Sequence, residues 1–127
     1  MKPAYVDSSF LLAIAFGEPD ATRLAVRLGQ YDSVHASDLV EAEVLSALAR
    51  EAAHPPEADL FAALSWTFPD RPLTEEFGRI LEAGYLKGAD LWHLACALYL
   101  SPDPQDLFFL TLDTRQKKIA ARLGFRL

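Results

Sequence analysis

A single cysteine, Cys96, leaves the chain without an internal disulfide, and a cytoplasmic setting follows as the expectation. Long hydrophobic runs are lacking too. The longest uncharged stretches, Ser8 to Gly17 and Leu91 to Pro102, fall well short of the ~20 residues that span a bilayer. Asp7 interrupts the N-terminal segment before any apolar stretch develops, which argues against a secretion signal. The six glycines are scattered singly, so there is no phosphate-cradling loop, and no G-x-S-x-G elbow marks a hydrolase triad. With no second cysteine, a thiolate zinc site is excluded as well. Repeats, low-complexity tracts and linkers are absent. What remains is 127 residues, 51% hydrophobic and 24% charged. That composition excludes a disordered chain and suits one domain over residues 1–127, burying roughly two thirds of its unfolded surface.

Charge is unevenly placed. Residues 1–113 hold seven basic side chains and all 18 acidic ones, whereas residues 114–127 hold Arg115, Lys117, Lys118, Arg122 and Arg126 with no acid. The C-terminal group is either a solvated helix face or a basic patch able to hold a phosphodiester beside an acidic body.

Periodicity predicts short strands separated by helices. Ala4-Tyr5-Val6 and Ser33–Ala36 read as strands, and Leu107 to Leu112 as a continuously apolar, fully buried parallel strand. Helices are expected over Ser8–Phe16, Asp20–Leu28, Leu39–Arg50, Glu57–Trp66, Thr74–Tyr85, Ala89–Leu100 and Thr114–Leu123. Pro55-Pro56 stops the third, Gly124 ends the last, and Phe125–Leu127 completes an edge strand. The fold class is therefore α/β, a three-layer domain with a small, mostly parallel sheet flanked by helices.

Four carboxylates stand out. Asp7 and Asp113 are each the first polar residue after a strand and immediately precede a helix. Plain helix capping explains either alone. If their strands are adjacent, both point into one crevice at the carboxyl edge of the sheet, an arrangement that a cation stabilises. Glu41 and Glu43 lie two apart on one helix and cannot both face a site. Asp38-x-x-Glu41 has capping-box spacing, which gives Glu41 a structural role and leaves Glu43 beside the apolar stripe. Asp90 opens the most hydrophobic helix, either as a cap or looking inward with Leu94 and Ala97. His93 reads as a core histidine or a partner of Asp90, and Cys96 as a small buried hydrophobe. An all-oxygen set of Asp7, Glu43, Asp90 and Asp113 suits Mg2+ or Mn2+. Without a cation their repulsion raises at least one carboxyl pKa. Ser8 and Thr111 are candidates to orient the carboxylates through hydrogen bonds.

With these residues placed, the chain resembles PIN-domain proteins, and among them the VapC-type ribonuclease toxins of toxin–antitoxin pairs. The likeness runs through Tyr5-Val6-Asp7-Ser8-Ser9-Phe10, Ser37-Asp38-Leu39-Val40-Glu41-Ala42-Glu43-Val44, Gly88-Ala89-Asp90-Leu91-Trp92-His93-Leu94-Ala95 and Leu110-Thr111-Leu112-Asp113. Trp92 stands where a small residue is more usual, and Ser8-Ser9 varies the family's Thr/Ser pair. The resemblance implies a PIN fold, Mg2+- or Mn2+-dependent endoribonuclease activity on RNA, a cognate antitoxin protein and often a homodimer. Asp7 and Asp90 would then be the main metal ligands, completed by Glu43 and Asp113, with one or two ions. Two alternatives remain open: an aspartate-based, Mg2+-dependent phosphatase or phospho-acceptor domain using Asp7, and a non-catalytic interaction module of the same fold.

Overall fold

A two-residue period in the first strand, β1 (Ala4–Val6), sorts the whole core: Ala4 and Val6 join one buried cluster and Tyr5 the other. A computed structural model describes residues 3–51 and 58–127. Its elements follow in the order β1, α1 (Ser8–Ala15), α2 (Ala21–Leu28), β2 (Val34–Ser37), α3 (Asp38–Arg50), α4 (Ala58–Ala62), β3 (Leu64–Thr67), α5 (Thr74–Ala83), α6 (Gly88–Leu100), β4 (Phe108–Leu110) and α7 (Thr114–Leu123). The four strands pair only in parallel, in the order β3-β2-β1-β4. Helices α1, α2 and α3 cover the Ala4/Val6 face through Phe10, Leu11, Leu24, Val40 and Val44. On the Tyr5 face lie α5, α6 and α7, packed through Ile80, Leu94, Ala97 and Ile119. The three layers are those the helix–strand alternation predicts. Among the described residues no helix is long and apolar enough to cross a membrane.

Strand order locates the functional edge. The chain leaves β1 for β2 and β3 on one side, then returns to β4 on the other side of β1. The reversal opens a crevice between the carboxyl ends of β1 and β4, where ligands bind in open parallel sheets. Asp7 follows β1 and Asp113 lies three residues past β4, so both flank that crevice.

Three element boundaries differ from the sequence reading. The helix expected over Glu57–Trp66 stops at Ala62, because Leu64–Thr67 instead pairs in register with Val34–Ser37 as an edge strand. Trp66 and Thr67 favour a strand, and that long-range pairing outweighs the local helical pattern. Pro55, Pro56 and Glu57 lie outside the described residues. The last buried strand is shorter than Leu107–Leu112. Its backbone leaves the sheet at Thr111, where side-chain bonds take over. Phe125–Leu127 contributes a parallel bridge from Arg126 to Phe108, with Phe109 N donating to Arg126 O at 2.7 Å. Gly124 ends α7 in the left-handed region at φ 103°, a conformation that favours glycine.

Candidate active site

Asp7 is buried, at 3% exposure, and both of its carboxylate oxygens are engaged. Oδ1 accepts from Ser9 Oγ (2.7 Å) and from the Phe10 amide (3.2 Å), which caps α1. Oδ2 accepts from Thr111 Oγ1 at 2.5 Å. Ser9 Oγ also accepts from Leu112 N at 3.0 Å, and Thr111 Oγ1 accepts from Asp113 N at 3.1 Å. These bonds stitch the segments leaving β1 and β4 across the crevice. Burial raises the Asp7 carboxyl above its ordinary value, opposed by the bonds from Thr111, Ser9 and Phe10 N and by His93. Thr111 orients the carboxylate as the sequence suggests. Ser8 does not, because the hydroxyl one residue further on, at Ser9, is the one that turns back to Asp7.

Asp113 caps α7, its Oδ1 accepting from Gln116 N at 2.7 Å. Gln116 is fully buried, and its Nε2 donates to Asp90 O at 3.0 Å, tying α7 to the first turn of α6. Sequence reasoning missed Gln116. Its signal is position: three residues after an Asp cap, on the helix face that also carries Ile119 and Ala120.

Asp90 is not a cap. The helix starts at Gly88 with Lys87 at the cap position, and Asp90 lies in the first turn. No side chain or backbone amide among the described residues donates to its carboxylate. Burial raises its pKa first, then the charges of Asp113 and Glu43, against Lys87 and His93. Asp90 therefore feels both Asp113 and Glu43, and its carboxyl lies above the ordinary value, as expected of at least one of the four acids. The largest cause is desolvation rather than repulsion.

Glu43 faces inward for a reason the sequence did not offer. The expected capping box does not form: Ser37 is the cap residue and makes no side-chain cap bond. Glu43 Oε1 instead meets Nε2 of His93 at 2.5 Å. His93 is buried, and its Nδ1 lies 3.2 Å from the Tyr5 hydroxyl, which itself accepts from Ser37 N at 3.2 Å. A chain of polar contacts thus runs from the β2 backbone through Tyr5 and His93 to Glu43. Burial pushes the Tyr5 hydroxyl pKa up, so it stays neutral. His93 is a core histidine, as one reading held, but its polar partner is Glu43 rather than Asp90. Cys96 is buried, with its thiol pushed up to about 12 by burial, and carries no reactive thiolate.

The donor set is oxygen-only and suits a hard divalent cation. Asp90, unbonded and in the field of two other acids, is where such a charge is best accommodated. The acids are not gathered into a ready-made cage, however. Among the described residues no three His, Cys, Asp or Glu side chains group closely enough to hold an ion as they stand. Asp7, Asp113 and Glu43 are each held by protein donors.

Of the basic C-terminal residues, Arg122 Nη1 donates to Ala83 O (2.8 Å) and Arg126 Nε to Gln105 O (3.0 Å), so both brace the fold. Arg115 lies over the Tyr85 ring, 5.9 Å from its centroid.

Comparison with curated proteins finds no match. The family model described as the PIN domain matches residues 4–122, a span that includes all four acids. PIN domains are generally metal-dependent nucleases. The all-parallel sheet with helices on both faces agrees with that family's fold. The chain belongs to the PIN-domain family.

Proposed function

We propose that the chain is an endoribonuclease dependent on Mg2+ or Mn2+, and more narrowly a VapC-type toxin held in check by a cognate antitoxin and acting as a homodimer. The observation that carries the nuclease reading is Asp90: a half-buried carboxylate with no hydrogen-bond donor among the described residues, in the field of Asp113 and Glu43, beside the crevice between β1 and β4. The toxin reading rests on the four motifs quoted above and on their order along the chain.

Asp90 and Asp7 would be the principal ligands of a divalent ion, with Glu43 and Asp113 completing the set. When bound, such an ion lowers the pKa of a water and offsets charge developing on the phosphate. Asp90 can take it without giving up a protein bond. Ser9 and Thr111 hold Asp7 in one orientation, and His93 holds Glu43. Arg115, two residues past Asp113, supplies positive charge for the incoming polyanion.

The test is incubation of single-stranded and structured RNAs with the protein in Mg2+, in Mn2+ and in EDTA. Internal cleavage only with the cation supports the reading. Cleavage unaffected by EDTA, or no cleavage with either ion, contradicts it.

A further inference from the structure

Tyr85 is the most exposed of the large hydrophobic side chains described, at 66%. It lies between α5 and α6, five residues before Asp90. Both of its flanks are anchored. Arg122 Nη1 donates to Ala83 O at 2.8 Å, and Gly84 packs so tightly on α7 that a Cβ there would meet Ile119 Cδ1 at 3.0 Å. Leu86, on the other side, is buried at 3%. The backbone thus holds the ring outward in a fixed place, where burial has no use for it.

Arg115 lies over the ring with its guanidinium carbon 5.9 Å from the centroid, within the range of a cation–π contact. This one contact joins the segment leading to Asp90 with the segment leaving Asp113. Lys87, two residues past Tyr85, is an exposed cation at the cap position of the helix that carries Asp90. An exposed aromatic face flanked by an arginine and a lysine, beside an acidic crevice, matches what a single strand requires: a platform for a base and cations for its phosphates. An apolar peptide would gain little from the two charges.

We propose that Tyr85, with Arg115 and Lys87, forms a nucleobase-stacking subsite that holds one base of a single-stranded RNA beside the carboxylates. This rests on the nuclease reading above. Stacking is sequence-tolerant, so the subsite fixes where the strand lies relative to Asp90 more than which base it carries.

The experiment measures binding of labelled oligoribonucleotides, intact or with a single abasic residue walked along the strand, to a cleavage-deficient Asp90→Asn protein. Tyr85→Ala, Tyr85→Phe and Arg115→Ala are added to that background. Tyr85→Ala is expected to weaken binding about tenfold with its salt dependence unchanged, whereas Tyr85→Phe keeps the affinity. At one strand position the abasic residue should reproduce the Tyr85→Ala loss and cost nothing further in that variant. Arg115→Ala should instead flatten the salt dependence, by ~0.7 in slope for one phosphate contact. If Tyr85→Ala binds as its parent does, the subsite is wrong and the nuclease reading stands. A Tyr85→Ala protein that keeps RNA affinity but loses self-association places the ring in a protein interface and also overturns the proposal. Failure of the parent to bind RNA at any salt concentration overturns both.

Discussion

Asp90 differs from the other three acids in having no donor among the described residues, and two consequences follow at the scale of the residue. First, Asp90→Asn removes a half-buried charge in the field of Asp113 and Glu43. Cleavage is expected to fall more than ~100-fold while the melting temperature holds or rises. Full activity in the variant would take Asp90 out of the site. Second, a carboxyl raised in the fold is protonated there at pH values where the unfolded chain has already ionised. Wild-type stability therefore declines as pH rises from the ordinary carboxyl range through the raised value, and the loss is complete above it. Melting in EDTA from pH 3 to 7 should show Asp90→Asn gaining on the wild type as pH increases. Equal curves across that range would mean that Asp90 titrates normally. The sequence leaves Glu43 beside the apolar stripe of its helix once a capping box claims Glu41, but that argument is not the operative one. The capping box never forms, and the buried His93 decides the matter through a contact fifty residues away in sequence. Removing that histidine by His93→Ala should loosen Glu43 and weaken Mn2+ affinity about 10–100-fold. His93→Gln, which keeps a donor, should recover part of the loss. Unchanged Mn2+ affinity in His93→Ala would reduce the contact to core packing.

At the scale of the element, helix ends were legible where local chemistry sets them. Asp7 and Asp113 cap α1 and α7 as Asp residues do, and Gly124 closes α7 in the left-handed region. Reading failed where a long-range partner decides. Leu64–Thr67 is a strand because β2 lies beside it, and nothing within the segment reveals that neighbour. Likewise Ser9 rather than Ser8 holds Asp7, a choice that depends on where the first turn of α1 directs each hydroxyl. The bond from Thr111 to Asp7 joins the two strand ends and is testable by Thr111→Val. That change leaves a buried carboxylate oxygen without its donor and is expected to cost about 1–3 kcal/mol near neutral pH. The Thr111 bond lowers the Asp7 pKa, so its loss raises a carboxyl that burial has already raised. The gap between variant and wild type should therefore widen from pH 4 to pH 7 in denaturant melts. A gap independent of pH would mean that Asp7 does not sense Thr111.

For the whole molecule, net charge misleads and topology informs. A formal charge of −6 argues against a polyanionic partner, yet the five basic residues after Asp113 all lie on or just beyond the helix that starts at the crevice. Two of them brace the fold, which leaves Arg115 and the exposed Lys117 and Lys118 facing outward. Strand order β3-β2-β1-β4 does what composition cannot: it brings residues 7 and 113 to one edge, and α6 sets Asp90 within the field of Asp113. Among the described residues the acids form no finished cage, and the proposed divalent cation would complete the arrangement. Calorimetric titration of Mn2+ into the wild-type protein and into folded Asp90→Asn tests this most directly. Saturable binding to the wild type is expected, weakened at least tenfold in the variant. Equal affinity in the two proteins, or no saturable binding to the wild type, would contradict it.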